Sequence, residues 1–341
     1  MLTAMGTSPA SVGSLLAGVA LVSVLSGPAA QAQEATAKVT IGHSNYRNDV
    51  AALWIPSETG IFRKYGLDVT VTLVEGGRQM TQAILSGSVP IGMTGVPTVA
   101  TSTAAGGDAV LILGITNKAT FDIWAKPEVK TPADLGGKVF GISDLGATSH
   151  LAAFIVLRHF GLDPVKDRVS FVGVGDEALR AQALLARRVD VTLLDPSVSG
   201  HVRDKGFTFL GNMETLGVPF VNNAMVTTRT YLAKHPGVVE AVVRGVVEGN
   251  AYILNPANRR RVTKILATKM RLDEHRADDA YRELLPKVER KPYLPTDAVA
   301  ASIQVLGARN PRVAALRPEQ LVDLSILRRL DREGFIDQLA R

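Results

Sequence analysis

Apolar residues in this chain alternate between two periods. Short aliphatic and β-branched runs at 38–42, 69–74, 89–93 and 109–115 are separated by stretches at 50–65, 77–85 and 96–105 whose apolar positions recur about every three to four residues. Glycines punctuate the helical stretches, Gly66 after the first and Gly106-Gly107 after the third. Strands and helices alternating at this length predict an α/β fold, with a parallel sheet covered by helices on both faces. The rhythm breaks over 121–131, near Pro127 and Pro132, and then resumes with strands at 138–142, 169–174, 189–194 and 207–210 and helices at 148–160, 177–187 and 197–205. Gly217-Val218-Pro219 leads into an apolar strand over 220–228. From 231 onward the pattern is helical, at 238–254, 258–270, 276–284, 296–306 and 318–330.

The second half of this pattern repeats the first. Gln82-Ala83-Ile84-Leu85-Ser86-Gly87-Ser88-Val89-Pro90-Ile91 is matched 100 positions later by Gln182-Ala183-Leu184-Leu185-Ala186-Arg187-Arg188-Val189-Asp190-Val191. Each copy follows a Gly-Leu-Asp, at Gly66-Leu67-Asp68 and Gly161-Leu162-Asp163, then a β-branched run and a glycine turn. Two α/β units of like construction imply two lobes with a ligand seam between them. The expected division is one lobe from 38–120 and 225–341, the late helices packing on it, and a second from 126–219. Two crossings, near 121–126 and 219–228, form a hinge of two adjacent strands.

At 341 residues and 46% hydrophobic, the chain is long enough for two interiors. It has no cysteine, which excludes thiolate metal sites, thiol nucleophiles, disulfides and a lipid-modified N-terminal cysteine. Residues 1–32 carry no Lys, Arg, Asp or Glu. Within them 14–25 (SLLAGVALVSVL) precedes Gly27-Pro28 and Ala30-Gln31-Ala32, the layout of a cleaved secretory signal, whether it starts at Met1 or Met5. The apolar run is shorter than the roughly 18 residues that span a bilayer, so export rather than anchoring is expected. The net charge of +6 suits either anion steering or solubility. The basic clusters Arg259-Arg260-Arg261 and Arg328-Arg329 lack interleaved aromatics, so nucleic acid is not an expected partner.

Ligands of open parallel sheets lie beyond the carboxyl ends of the strands. Those positions hold His43, Ser44, Asn45 and Tyr46; Gly76, Gly77 and Arg78; Thr94 and Gly95; Asn117; the 143–149 turn; Gly175-Asp176; and Asp195. Hydroxyls, amides and glycines dominate, groups that hold a polar ligand without reactive chemistry. Gly146-Ala147-Thr148-Ser149 opens a helix and suits an anion, although plain N-capping by Thr148 or Ser149 explains it equally. Arg78 is either a bidentate ligand contact or a solvated first-turn arginine. Asp195 before Pro196 either meets a ligand or caps the helix that begins there, and Trp54 and Tyr46 either offer a ring to a ligand or pack in the core. Gly173-Val174-Gly175-Asp176-Glu177-Ala178 has dinucleotide spacing, but its carboxylates stand where a pyrophosphate would sit. The six histidines show no metal-ligand spacing, and no catalytic motif is present, so neither cofactor nor metal is expected.

The order Ser44, Gly60-Ile61-Phe62-Arg63-Lys64-Tyr65-Gly66-Leu67-Asp68, Glu75-Gly76-Gly77, Gln82-Ala83-Ile84-Leu85-Ser86-Gly87, Asp134-Leu135-Gly136-Gly137-Lys138-Val139-Phe140-Gly141, Val189-Asp190 and Asp195-Pro196 resembles the periplasmic substrate-binding proteins of ABC importers for nitrate, sulfonates, taurine and thiamine-pyrimidine precursors. The resemblance implies a monomeric two-lobed clamp in the periplasm that closes on a small molecule, most simply a sulfonate- or carboxylate-like anion. It delivers that molecule unaltered to a permease and its ATPase. It also implies a crevice formed by Ser44, Asn45, Tyr46, Gly77, Arg78, Thr94, Asn117, the Gly146–Ser149 turn, Asp195 and Asn222. Leu194 stands where many relatives carry an aromatic, and Pro90 where the first repeat is usually acidic. The alternatives are an enzyme on the same scaffold, of pyrimidine-synthase or dehydratase type, or a sensing domain for a membrane receptor. The missing iron-binding cysteines disfavour the pyrimidine-synthase type, whereas a dehydratase acting with few catalytic groups stays open.

Overall fold

The computed structural model describes residues 36–339, so the expected signal segment at 1–32 lies outside the described residues. Ten strands form two five-stranded sheets. The strands are β1 (Ala37–His43), β2 (Leu67–Leu73), β3 (Ile91–Thr94), β4 (Ala109–Thr116), β5 (Asp122–Ala125), β6 (Val139–Ile142), β7 (Ser170–Gly173), β8 (Val191–Leu194), β9 (Thr208–Asn212) and β10 (Asn223–Thr228). The first sheet runs β2-β1-β3-β10-β4 and the second β7-β6-β8-β5-β9. The orders coincide when β6, β7, β8 and β9 are laid on β1, β2, β3 and β4, so the sequence repeat is a repeat of whole sheets. Neither sheet is wholly parallel, contrary to the alternation pattern. β10 runs antiparallel between β3 and β4, and β5 antiparallel between β8 and β9. The reason is topological: each sheet takes its fourth strand from the chain just after it has crossed from the other.

The crossings themselves are not strands. They run over 117–121 and 213–222, flanked by the β4–β10 pair on one side and the β5–β9 pair on the other. Only isolated backbone bonds tie them to strand ends, Asn222 N–H to Thr116 O (2.8 Å) and Met213 N–H to Phe121 O (2.8 Å).

Two other expected elements are interrupted. The helix over 50–65 divides into Ala51–Glu58 and Ile61–Lys64 because Gly60 sits at φ 81°, a left-handed conformation natural to glycine. The helix over 318–330 divides into Pro318–Leu321 and Ser325–Arg332. Between them Val322 bridges to Leu111, and Asp323 N–H donates to Leu111 O (2.8 Å). That contact covers the edge of β4, all eight of whose residues are buried.

The late helices share one apolar core with the first sheet: Val242, Val246 and Leu266 pack in the same cluster as Ile41, Ile91 and Leu113. A separate core under the second sheet holds Phe140, Leu151, Val156 and Leu193. The Thr296–Gly307 helix also reaches the second core through Val305 and Leu306. No helix among the described residues is long and apolar enough to cross a membrane.

Candidate functional site

The C-terminal ends of the parallel strands in the two sheets face each other, and an enclosed pocket lies between them. Ser44, Asn45, Gly77 and Thr94 line it from the first lobe, Phe121 and Asn222 from the crossings, and Ser143, Ala147, Thr148, Ser149, Glu177 and Arg180 from the second. The space is tight: the centre of a water-sized sphere can occupy only about 10 Å³ of it, room for about one water.

Two helix N-termini point into this space. Gly77–Ser86 starts directly from the Gly76 turn (φ 89°), where Gly77 lies against the neighbouring helix: a Cβ there would stand 3.0 Å from Thr94 Oγ1 and 3.1 Å from Thr98 Cγ2. Thr148–His159 starts from Ala147, which supplies no side-chain cap. Neither Thr148 nor Ser149 caps the helix. The Ser149 hydroxyl is bonded instead to Ser143 N–H and Ser143 Oγ, both at 2.8 Å, and the Thr148 hydroxyl has no hydrogen-bond partner among the described residues. The first N–H groups of this helix receive no side-chain cap, the situation in which a helix end attracts negative charge. At Gly95 the lobes are in close contact, since a Cβ built there would overlap Thr148 Oγ1.

Six expected site residues are not in this lining: Gly95, which meets Thr148 at the seam, and five that lie elsewhere, each for a visible reason. Tyr46 packs against His43 and Trp54, with ring centroids 6.4 and 5.7 Å away, and borders a separate groove. Arg78 is exposed and pairs through Nε with Asp144 Oδ2 (2.9 Å), tying the rims of the lobes together outside the pocket. Asn117 turns away, donating to Glu289 Oε2 (3.0 Å) and Tyr293 O (2.7 Å). Gly146, at φ 79°, donates its N–H to His150 Nδ1 (2.9 Å). Burial, reinforced by the Arg309 cation, lowers His150 to about 4, so the imidazole stays neutral and able to accept that bond.

Asp195, the fifth, caps its helix by accepting from Ser197 N–H (3.1 Å), and does more besides. Lys287 Nζ lies 2.7 and 2.8 Å from its two carboxylate oxygens, and Thr120 Oγ1 donates at 2.8 Å. It belongs to a buried charge cluster that sequence reasoning missed. Arg47 forms a bidentate pair with Asp49, reaches Glu177 Oε1 across the lobes (3.2 Å), and stands 3.9 Å from Asp195. Arg180 Nη2 lies 3.6 Å from Glu177 Oε1 and donates to Leu193 O (3.0 Å). Asp49 also accepts from Thr116 Oγ1 (3.0 Å) and Asn223 Nδ2 (2.9 Å). Burial alone pushes the Asp195 and Asp49 carboxyls up, but the facing cations outweigh it and hold both below their ordinary values. At Glu177 burial wins and its carboxyl is raised despite Arg47 and Arg180. Arg47 and Asp49 stand together just after β1, where two polar residues read as loop, and Lys287 is far away in sequence. The i, i+3 spacing of Glu177 and Arg180 was the one available signal.

No curated protein sequence matches the chain. Among solved structures the fold is similar to a protein from Bordetella bronchiseptica RB50 (TM-score 0.76, 21% identity, 88% of this chain and 98% of that one). It is similar to the alkanesulfonate-binding protein SsuA from Xanthomonas axonopodis pv. citri, bound to MOPS (0.66, 20%, 86% and 97%). It is also similar to the periplasmic nitrate-binding protein NrtA from Synechocystis PCC 6803 (0.70, 14%, 89% and 91%). These likenesses establish the periplasmic-binding-protein fold with its two lobes. The family model described as NMT1/THI5 like matches residues 47–259, well over half of the chain, which therefore belongs to the NMT1/THI5-like family.

Proposed function

We propose that this protein is the solute-binding component of an ABC importer, capturing a small organic anion of sulfonate or carboxylate type in the periplasm by hinge closure and passing it unaltered to the permease. The observation that carries this reading is the uncapped start of the Thr148–His159 helix. Its N–H groups and the Thr148 hydroxyl face a pocket to which the opposite lobe contributes the hydroxyls of Ser44 and Thr94, the amide of Asn45 and Gly77, with Glu177 and Arg180 on its own side paired to each other. A ligand bridging Ser44, Asn45 and Thr94 on one side and Thr148 and Ser149 on the other makes its full set of contacts only when the lobes are together. Differential affinity for the closed form is what drives closure. The names of the structural neighbours, a sulfonate binder and a nitrate binder, support the same class of ligand.

The test is native mass spectrometry of the mature protein purified without denaturation, followed by thermal-shift titration with alkanesulfonates, carboxylates and nitrate. A co-purifying mass or a saturable rise in Tm with one of them is expected. A ligand recovered chemically changed after incubation would point to an enzyme instead, and no shift with any anion would overturn the reading.

A further inference from the structure

The excess positive charge of this chain sits in one place. Between Glu248 and Asp273 lie 24 residues with no acid and six cations: Arg259, Arg260, Arg261, Lys264, Lys269 and Arg271. The whole chain has 38 Lys and Arg against 32 Asp and Glu, so outside this stretch the two signs balance at 32 each. Charge confined in this way makes a local field, which general solubility does not require.

The fold gathers the stretch onto one face. The Arg259–Met270 helix buries Val262 and Leu266 in the core of the first lobe. At about 100° per residue Arg260, Arg261 and Lys264 fall on the opposite side. All three are exposed, as is Arg271 in the turn that ends the helix. Two of the six cations are neutralised, Arg259 by Asp278 (2.7 Å) and Lys269 by Glu58 (2.5 Å). Arg260, Arg261, Lys264 and Arg271 make no ion pair among the described residues. The acids of the neighbouring Glu274–Leu284 helix are committed elsewhere, Asp278 and Asp279 both reaching Arg282 (3.3 and 2.6 Å), and Asp273 reaches Arg276 (3.8 Å). Exposed Glu274 is the one acid beside them that is both exposed and without an ion pair among the described residues.

The partner follows from what the face contains and what it lacks. It is the convex side of a single helix, so it encloses no small molecule. It has no aromatic ring on which a nucleic-acid base could stack, and no large apolar side chain to fill a partner protein's pocket or to enter acyl chains. A surface of spread negative charge needs none of these. We propose that this helix face docks on anionic phospholipid headgroups, holding the protein electrostatically at a membrane surface without insertion. Four unpaired cations, each worth roughly 5-fold in affinity near such a surface, give a weak and reversible adsorption.

Co-sedimentation with phosphatidylcholine vesicles, with and without added phosphatidylglycerol, tests it. Wild-type protein is expected to bind only the vesicles that contain phosphatidylglycerol, and to be released by ~0.5 M salt. Replacing Arg260, Arg261 and Lys264 together by Gln should weaken binding roughly 100-fold. Replacing Arg158, Lys166 and Arg188 by Gln removes the same charge from exposed positions on the second lobe and should cost less than ~5-fold. Equal losses in the two triple variants would overturn the proposal, because overall charge and not this face would then govern adsorption. Equal binding to pure phosphatidylcholine, or binding to neither vesicle, would overturn it as well. Should either triple variant fail to fold, the six single substitutions carry the same comparison.

Discussion

Lys287 Nζ sits 2.7 and 2.8 Å from the two oxygens of Asp195, joining a C-terminal segment packed on the first lobe to the end of β8 in the second. Both side chains are buried, at 5% and 1% exposure, so this is a clasp sealed from water rather than a surface ion pair.

Removing one half of such a pair leaves a buried uncompensated charge. Lys287→Met is expected to lower unfolding free energy by about 3–5 kcal/mol, and Lys287→Met with Asp195→Asn to recover most of that, since Asn still caps the helix. Denaturant unfolding of the two variants checks this. The Asp195 carboxyl is held below its ordinary value of 3.8, so its stabilisation is present above that pH and is lost as pH falls through and below it. Lys287→Met should flatten that acid limb.

Gly95 governs how near the lobes approach. Gly95→Ala places a methyl against Thr148 Oγ1 and near Asn222 O (3.3 Å), while leaving each lobe's own core untouched. Ligand affinity is expected to fall about 10-fold or more with little change in Tm, and Gly95→Ala with Thr148→Ala to regain part of the loss. Small-angle scattering with ligand should show Gly95→Ala more open than wild type.

Glu283 gives the pH dependence of a second inter-lobe region. It borders the groove between the Glu274–Leu284 helix and the second lobe, and its Oε2 is buried without a hydrogen-bond partner. Burial, only partly offset by Lys287, pushes its carboxyl up from 4.5 to about 7. Over that window the folded chain keeps a proton the unfolded chain releases, so this group costs stability as pH rises. Glu283→Gln should match wild type in Tm near pH 4 and exceed it near pH 8. Equal Tm at both would contradict the assignment.

The period of apolar residues made the succession of strands and helices along each half legible, and the Gln82/Gln182 repeat announced two matching lobes. What the periods conceal is strand direction. The return of 225–228 to the first lobe was expected, but only the tertiary fold shows that 122–125 and 223–228 enter their sheets antiparallel to the strands beside them. Two thirds of the pocket, eight of its twelve lining residues, followed from the rule that ligands gather at strand ends. Ser44, Thr94 and Thr148 are short side chains that stay where the backbone puts them. Arg78, Tyr46 and Asn117 carry longer or more versatile groups, and partners decide their direction: Asp144, Trp54 and Glu289 respectively. The charge cluster was illegible because its members come from positions as far apart as 47, 177 and 287, and a buried charge is recognisable only beside its counter-charge.

Anion capture by the free helix end is tested most directly by amide chemical shifts of isotopically labelled protein during titration with methanesulfonate or nitrate. The account predicts saturable shifts that are largest at the Thr148 and Ser149 N–H groups, together with Ser44 and Asn45 across the seam. Binding that leaves those four amides unmoved, or no binding by either anion, would contradict it.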